Sequence, residues 1–221
     1  MLKIRTLFLL VALLLAVPAF AVSSGDLPAA EQARLDDAAD DQARLAILEQ
    51  LAAERPEDAP VQFHLGNTLY DLGQLDGAVA AYRKAISVDD QLLGAHVNLG
   101  SALDENGKLD EALAAYETAL AVDDSDARLL CNIGGVYFQK RRIDRALDHF
   151  QRALEADPQS QLAHYNMAIL FADAEIYREA IAEWESAVAI DANSDIGRRS
   201  ADNIMIIKEM MAAEMPEVEG R

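Results

Sequence analysis

The chain of 221 residues has one cysteine, Cys131, so no intramolecular disulfide can form, even in an oxidising compartment. Cations are scarce too: 19 Lys and Arg stand against 38 Asp and Glu, a formal charge of −19. A surface of that sign repels nucleic acid and anionic membranes. It favours neutral or basic partners and helps solubility. There is no glycine-rich phosphate loop and no Gly-x-Ser-x-Gly elbow. The four histidines, His64, His96, His149 and His164, include no i,i+4 pair, and no second Cys joins them, which disfavours a metal site. The paired acids Asp89-Asp90 and Asp123-Asp124 read as helix ends and caps, not as a general acid and base. No catalytic, cofactor or metal site can be nominated from the residues. Cys131 itself reads as a small apolar packing residue.

The first residues are MLKIRTLFLLVALLLAVPAFAVSSG. Lys3 and Arg5 precede an apolar run from Leu7 to Val17, too short for a span of about 18 residues. Ala19-Phe20-Ala21 fits a small-x-small cleavage site. Residues 1–21 therefore read as a secretory signal peptide cut after Ala21, with an uncleaved anchor as the alternative. No Cys follows the run, which closes the lipoprotein route. Its pattern looks bacterial, so the expected address is the periplasm, or secretion. Removal of Lys3 and Arg5, with no acid in that segment, takes the formal charge from −19 to −21.

What the chain does contain is a repeat. Leu65-Gly66, Leu99-Gly100, Ile133-Gly134 and Met167-Ala168 lie 34 residues apart. The same spacing links Ala78, Ala112, Ala146 and Ala180, then Tyr82, Tyr116, Phe150 and Trp184, then Ala85, Ala119, Ala153 and Ala187. Within each period, apolar residues recur at helical spacing in two runs. In residues 93–126 these are Leu99 and Leu103, then Leu109, Leu113, Tyr116 and Leu120, with Gly107 ending the first run in a left-handed residue. Gly100 and Ala112 are expected to face each other, letting two helix axes cross closely, with Tyr116 filling the wider space beyond. One such pair cannot bury its apolar face alone, so neighbours must stack.

A small residue at the eighth place of a 34-residue unit, Ala at the twentieth, an aromatic at the twenty-fourth and Ala at the twenty-seventh resemble the tetratricopeptide repeat (TPR). The resemblance covers residues 59–192 and implies an all-α, right-handed α-solenoid of four helix pairs, 59–92, 93–126, 127–160 and 161–194. It departs from the family at the fourth place, usually Trp, where Gln62, His96, Leu130 and His164 stand. Arg141 and Glu175 replace glycine in two of the inter-helix turns, at some backbone strain. Residues 22–58 read as an acidic, loosely held segment followed from Asp41 by a capping helix; Leu45, Leu48 and Leu51 form its stripe. Residues 195–214 read as a C-terminal capping helix with Ile196, Ile204, Ile207 and Met211 in a stripe that Met205, Ile206 and Met210 widen. A Met-rich docking face is its alternative role. Residues 215–221 read as a disordered acidic tail.

In the TPR family the first helix of each unit lines a concave groove. The resemblance places His64, Asn98, Asn132 and Asn166 at the sixth position on that face, and Asp71, Glu105, Gln139 and Asp173 at the thirteenth. The family's clamp for acidic chaperone tails uses Lys, Arg and Asn there. Here Arg128 is nearly the only cation, so that partner class is disfavoured. An Asn amide offers one donor and one acceptor, which match the C=O and N–H of a peptide unit whatever its side chain. The column resembles the asparagine ladder in the TPR region of O-linked N-acetylglucosamine transferase. Lys140-Arg141-Arg142 with Arg145 reads as a solvated turn, or as a contact for an acidic partner.

The function these features imply is a non-catalytic protein–protein interaction scaffold of the bacterial cell envelope. It would bind a neutral-to-basic extended peptide and need no cofactor. The alternatives are an oligomerising structural protein that uses the Met-rich C-terminal helix, and an accessory subunit of an envelope enzyme. The intact mass of the protein from an envelope fraction should match a chain beginning at Val22; a mass that includes residues 1–21 would make the segment an anchor.

Overall fold

The computed structural model describes residues 25–214. The readings made for residues 1–21 and 215–221 fall outside these. Among the described residues there are eleven helices and no strand. The chain divides into two compact units between Asp124 and Ser125.

The N-terminal unit holds α1 (Ala29–Asp36), α2 (Asp41–Glu54), α3 (Ala59–Asp71), α4 (Leu75–Val88), α5 (Leu93–Glu105) and α6 (Leu109–Leu120). Each helix from α2 to α5 packs on the next in sequence, and α3 also touches α5. Starts of helices are set by short polar side chains. Asp40 accepts from the Ala43 amide at the head of α2, and Asp58 accepts from the Val61 amide at the head of α3, where Pro60 fits the first turn. The segment before α2 is better held than its composition suggests. Leu27 and Leu35 are buried against Leu48, Leu51 and Val61. Arg55 bridges Glu31 at 2.6 Å and Asp58 at 3.1 Å, tying α1 to the end of α2.

The C-terminal unit holds α7 (Ala127–Gln139), α8 (Ile143–Ala156), α9 (Gln161–Asp173), α10 (Tyr177–Ile190) and α11 (Asp195–Glu214). Here α9 packs on both α7 and α8, and α11 packs on α10 and α9. Asp126, Ser160 and Ser194 cap α7, α9 and α11 by accepting from amides in their first turns. Trp184, Phe150, Ala146, Ala168 and Ala180 are buried in one core with Ile207 of α11. Ile196, Ile204, Met210 and Met211 pack against that core, whereas Met205 is 61% exposed. Covering the end of the stack thus uses most of the apolar stripe of α11.

The small residue at the eighth place lies directly against the aromatic of the twenty-fourth. A Cβ added at Gly66, Gly100 or Gly134 would lie 2.4–2.5 Å from a ring carbon of Tyr82, Tyr116 or Phe150. So Gly100 lies against Tyr116: the ring rests on bare backbone and fills the space beside it. That contact explains why the glycine and the aromatic recur together at one period.

The turns behave as the sequence implies. Gly73 and Gly107 have φ of 69° and 72°, and Arg141 and Glu175 keep the same left-handed state at 57° and 61°. Side chains in that state cost roughly 1–2 kcal/mol. Glycine substitutions should therefore have opposite signs at the two kinds of place. Glu175→Gly should raise stability by up to about 1 kcal/mol. Gly100→Ala should lower it by about 1–3 kcal/mol, because the Tyr116 ring cannot yield. Urea melts of the two variants check both signs.

Candidate functional site

Sixth-position residues face different situations in the two units. In the N-terminal unit, Asn98 is 6% exposed and donates from Nδ2 to Asn67 Oδ1 at 2.8 Å. Asn67 Oδ1 also accepts from the Tyr82 hydroxyl at 2.8 Å. This network locks the Asn98 amide, and Asn98 Oδ1 is left buried with no partner among the described residues. What it lacks is a donor.

His64 is already engaged. Its Nε2 lies 2.8 Å from the carbonyl oxygen of Gly25, and its ring stands edge-on to Phe63. Gly25 is buried, and a Cβ on it would sit 3.1 Å from Phe63 and 3.6 Å from Leu92. Two residues on, Leu27 is buried, and Pro28 is extended with ψ of 139°. The chain's own N-terminal segment therefore lies against the first of the four helix pairs, with a main-chain carbonyl on the sixth-position side chain. His64 is not open to an added ligand in the way the sequence suggests.

In the C-terminal unit, Asn132 is 5% exposed on α7 and Asn166 is 2% exposed on α9. Neither amide atom of Asn132 has a partner among the described residues, and Asn166 Oδ1 has none either. Ser200 on α11 lies 34 residues after Asn166 and is fully buried, and its hydroxyl is also unpartnered among them. It is the member of the row that reading the sequence missed. Continuing the 34-residue period one step into the terminal helix finds it, because α11 starts in phase with α9. Unpaired buried polar groups cost about 1–3 kcal/mol each.

The thirteenth-position acids are less uniform than the sequence implies. Asp173 accepts from Arg141 Nη1 at 2.7 Å, which offsets its charge. Glu105 accepts from the Tyr70 hydroxyl, and burial reinforced by that carboxylate pushes the Tyr70 phenol well above its ordinary range. Asp71 is exposed and near Arg44 and Asp41 of α2. Partial burial, reinforced by Asp41 and opposed by Arg44, holds its carboxyl above the usual range. Arg128 is exposed at the start of α7, and its guanidinium has no ion-pair partner among the described residues. Cys131, next to Asn132, is 1% exposed, and burial pushes its thiol up to about 12, so it is no nucleophile at neutral pH. Among the described residues no three His, Cys, Asp or Glu side chains gather as a metal-binding group, and no helix is long and apolar enough to cross a membrane.

The repeat seen in the packing is also seen in comparisons of sequence. The tetratricopeptide repeat profile matches residues 97–161 and 136–195, and a TPR repeat profile matches residues 66–107. The chain belongs to the tetratricopeptide repeat family. No curated protein matches it by sequence. Several solved TPR-like structures share the fold. MamA (41-end) from Desulfovibrio magneticus RS-1 is 19% identical with a TM-score of 0.67, covering 75% of this chain and 93% of that one. TTC0263, a thermophilic TPR protein in Thermus thermophilus, is 22% identical with a TM-score of 0.66, covering 79% and 99%. A crystal structure of MamA is 19% identical with a TM-score of 0.64, covering 78% and 96%. At such identities the likeness speaks for the fold. That fold is an all-α TPR solenoid, and the class of function it supports is a protein–protein interaction scaffold.

Asp71 offers a test of the inner face's electrostatics. A carboxyl with a raised folded-state pKa costs stability when charged, and the cost is lifted as pH falls through that pKa. Asp71→Asn should therefore raise Tm at neutral pH and leave it unchanged below about pH 3, where the native carboxyl is protonated in both states. An equal shift at both pH values would assign the effect to packing.

Proposed function

We propose that this TPR protein is a non-catalytic scaffold of the bacterial cell envelope that holds an extended peptide segment of a partner along its first helices. The observation that carries the reading is Asn132, a buried amide with both its donor and its acceptor unpartnered among the described residues. One peptide unit of an extended chain supplies the complementary pair. The chain's own segment shows the same pairing in miniature, with the Gly25 carbonyl on sixth-position His64. Asn166 and Ser200 lie in phase with Asn132 and carry unpartnered oxygens of their own.

Partner charge follows from what is left over in the N-terminal unit. Residues 25–124 hold 21 acidic and 6 basic residues, and five of the basic ones, Arg44, Arg55, Arg83, Lys84 and Lys108, are in ion pairs. Asn98 Oδ1 wants a donor in that field, so a neutral-to-basic segment fits. The export reading rests on the start of the sequence, and with it the periplasmic address. Self-association through α11 is the weaker alternative, because Met210 and Met211 pack inward and leave Met205 as the exposed methionine of the stripe.

Peptides selected on the wild-type protein from an immobilised library of random 12-residue sequences are the test. Asn132→Ala should bind them about tenfold more weakly or worse, the cost of one or two unmade hydrogen bonds, with Tm nearly unchanged. Unchanged affinity would move recognition away from the asparagine row.

A further inference from the structure

Seven asparagines occur in the chain, and five lie inside helices, where the next backbone nitrogen is kept away from the side-chain carbon. Asn193 precedes Ser194 in an exposed turn. Asn106 precedes Gly107, just past the end of α5. That pairing is chemically the most open of the seven. Glycine has no Cβ to hinder its own nitrogen, and it takes φ angles closed to most residues. Gly107 has φ of 72°, it is exposed, and a Cβ built on it meets nothing within 4 Å.

Two sets of bonds hold this turn. The Gly107 amide donates to the Asp104 carbonyl at 2.9 Å and the Lys108 amide to the Leu103 carbonyl at 2.8 Å, a Schellman motif that closes α5. Asn106 Nδ2 donates to Asp76 Oδ1, in the first turn of α4, at 2.8 Å, and Lys108 Nζ reaches the same oxygen at 3.3 Å. Asn106 and then Lys108 hold the Asp76 carboxyl below the usual carboxylate range. The turn of the second helix pair is thus clasped to the first pair through one carboxylate. The Asp76 side chain is 87% exposed, and exposed contacts of this kind are worth little and open often. While the clasp is closed, the Asn106 amide is held on Asp76 and the Gly107 nitrogen is bonded elsewhere. When it opens, the two can meet.

We infer that Asn106 is a modification site: it loses its side-chain amide to attack by the Gly107 backbone nitrogen, and the product releases the clasp between the two helix pairs. The Gly107 nitrogen gives its proton to water and bonds to Asn106 Cγ. The Cγ–Nδ2 bond breaks, and ammonia leaves with a proton taken from water, closing a succinimide ring. Water then opens the ring. Breaking the bond from nitrogen to Cγ gives aspartate. Breaking the bond to the main-chain carbonyl carbon gives isoaspartate, whose main chain runs through the former side chain. Water is the only co-reactant. In either product a carboxylate replaces the amide opposite Asp76, so a hydrogen bond becomes a like-charge contact. Isoaspartate also adds a methylene to the main chain just before the left-handed residue, out of register with the bonds that close α5.

The experiment incubates the full chain at neutral and at mildly alkaline pH and follows residue 106 by peptide mass spectrometry. Labelling by isoaspartyl methyltransferase identifies the isomer. Wild type, Asp76→Ala, Gly107→Ala and Asn106→Asp are compared, with a thermal melt of each. The expected result is that Asn106 converts faster than Asn193, and faster at the higher pH, because the attacking nitrogen must lose its proton. Asp76→Ala converts severalfold faster than wild type, and Gly107→Ala far more slowly. Asn106→Asp melts below wild type, and added salt narrows the gap. An Asn106 that keeps its amide throughout, or outlasts Asn193, overturns the inference. Equal rates in wild type and Asp76→Ala overturn the clasp as the gate, and an Asn106→Asp protein as stable as wild type overturns its release. Should Gly107→Ala fail to fold, the Asp76→Ala rate, measured on a surface variant, still decides.

Discussion

The structure depends on one contact repeated along the chain, an aromatic ring laid on a backbone that has no Cβ. Tyr82 on Gly66, Tyr116 on Gly100 and Phe150 on Gly134 each join the first helix of a pair to its second at a distance no other residue allows. The rings are buried almost completely, so each contact combines the large apolar burial of an aromatic side chain with close helix approach. The alanines at the twentieth and twenty-seventh places, all fully buried, leave room for the next helix. Because every pair exposes one apolar face, the chain must end on helices that close it. In the N-terminal unit α1 and α2 do so with Leu27, Leu35, Leu48 and Leu51, and in the C-terminal unit α11 does so with Ile207 and its neighbours.

That scaffold pins the first helices firmly enough to hold polar groups where folding alone would not place them. Asn98 is locked by Asn67, which is in turn held by Tyr82, the same residue whose ring packs on Gly66. Core packing and site geometry are therefore joined through a single side chain. In the C-terminal unit the row formed by Asn132, Asn166 and Ser200 carries atoms without partners among the described residues, at a cost to stability.

Much of this was legible in the sequence, for a physical reason. A repeat fold is built from local helix pairs and nearest-neighbour stacking, so the same spacing of glycine, alanine and aromatic residues has to recur every 34 residues. Left-handed turns at Gly73 and Gly107 were readable for the same reason, and so were those at Arg141 and Glu175, where period outweighs residue type. Ser200 is within reach of the same rule, provided that the last helix is read as the first half of one more unit and not only as a cap with a stripe of its own. How closely the Tyr116 ring lies on Gly100 was beyond the period, which says that these positions recur but not at what distance they meet.

By itself, then, the sequence determined the helix pairs and the family. Both follow from short-range periodicity. Only the tertiary structure decided which polar groups of the candidate site are free. His64 is taken by the Gly25 carbonyl from 39 residues away, Asp173 is offset by Arg141, and Asn98 is half-satisfied through Asn67, while Asn132 is satisfied by nothing among the described residues. Hydrogen bonds and ion pairs between distant segments have no period, so no spacing rule reports them.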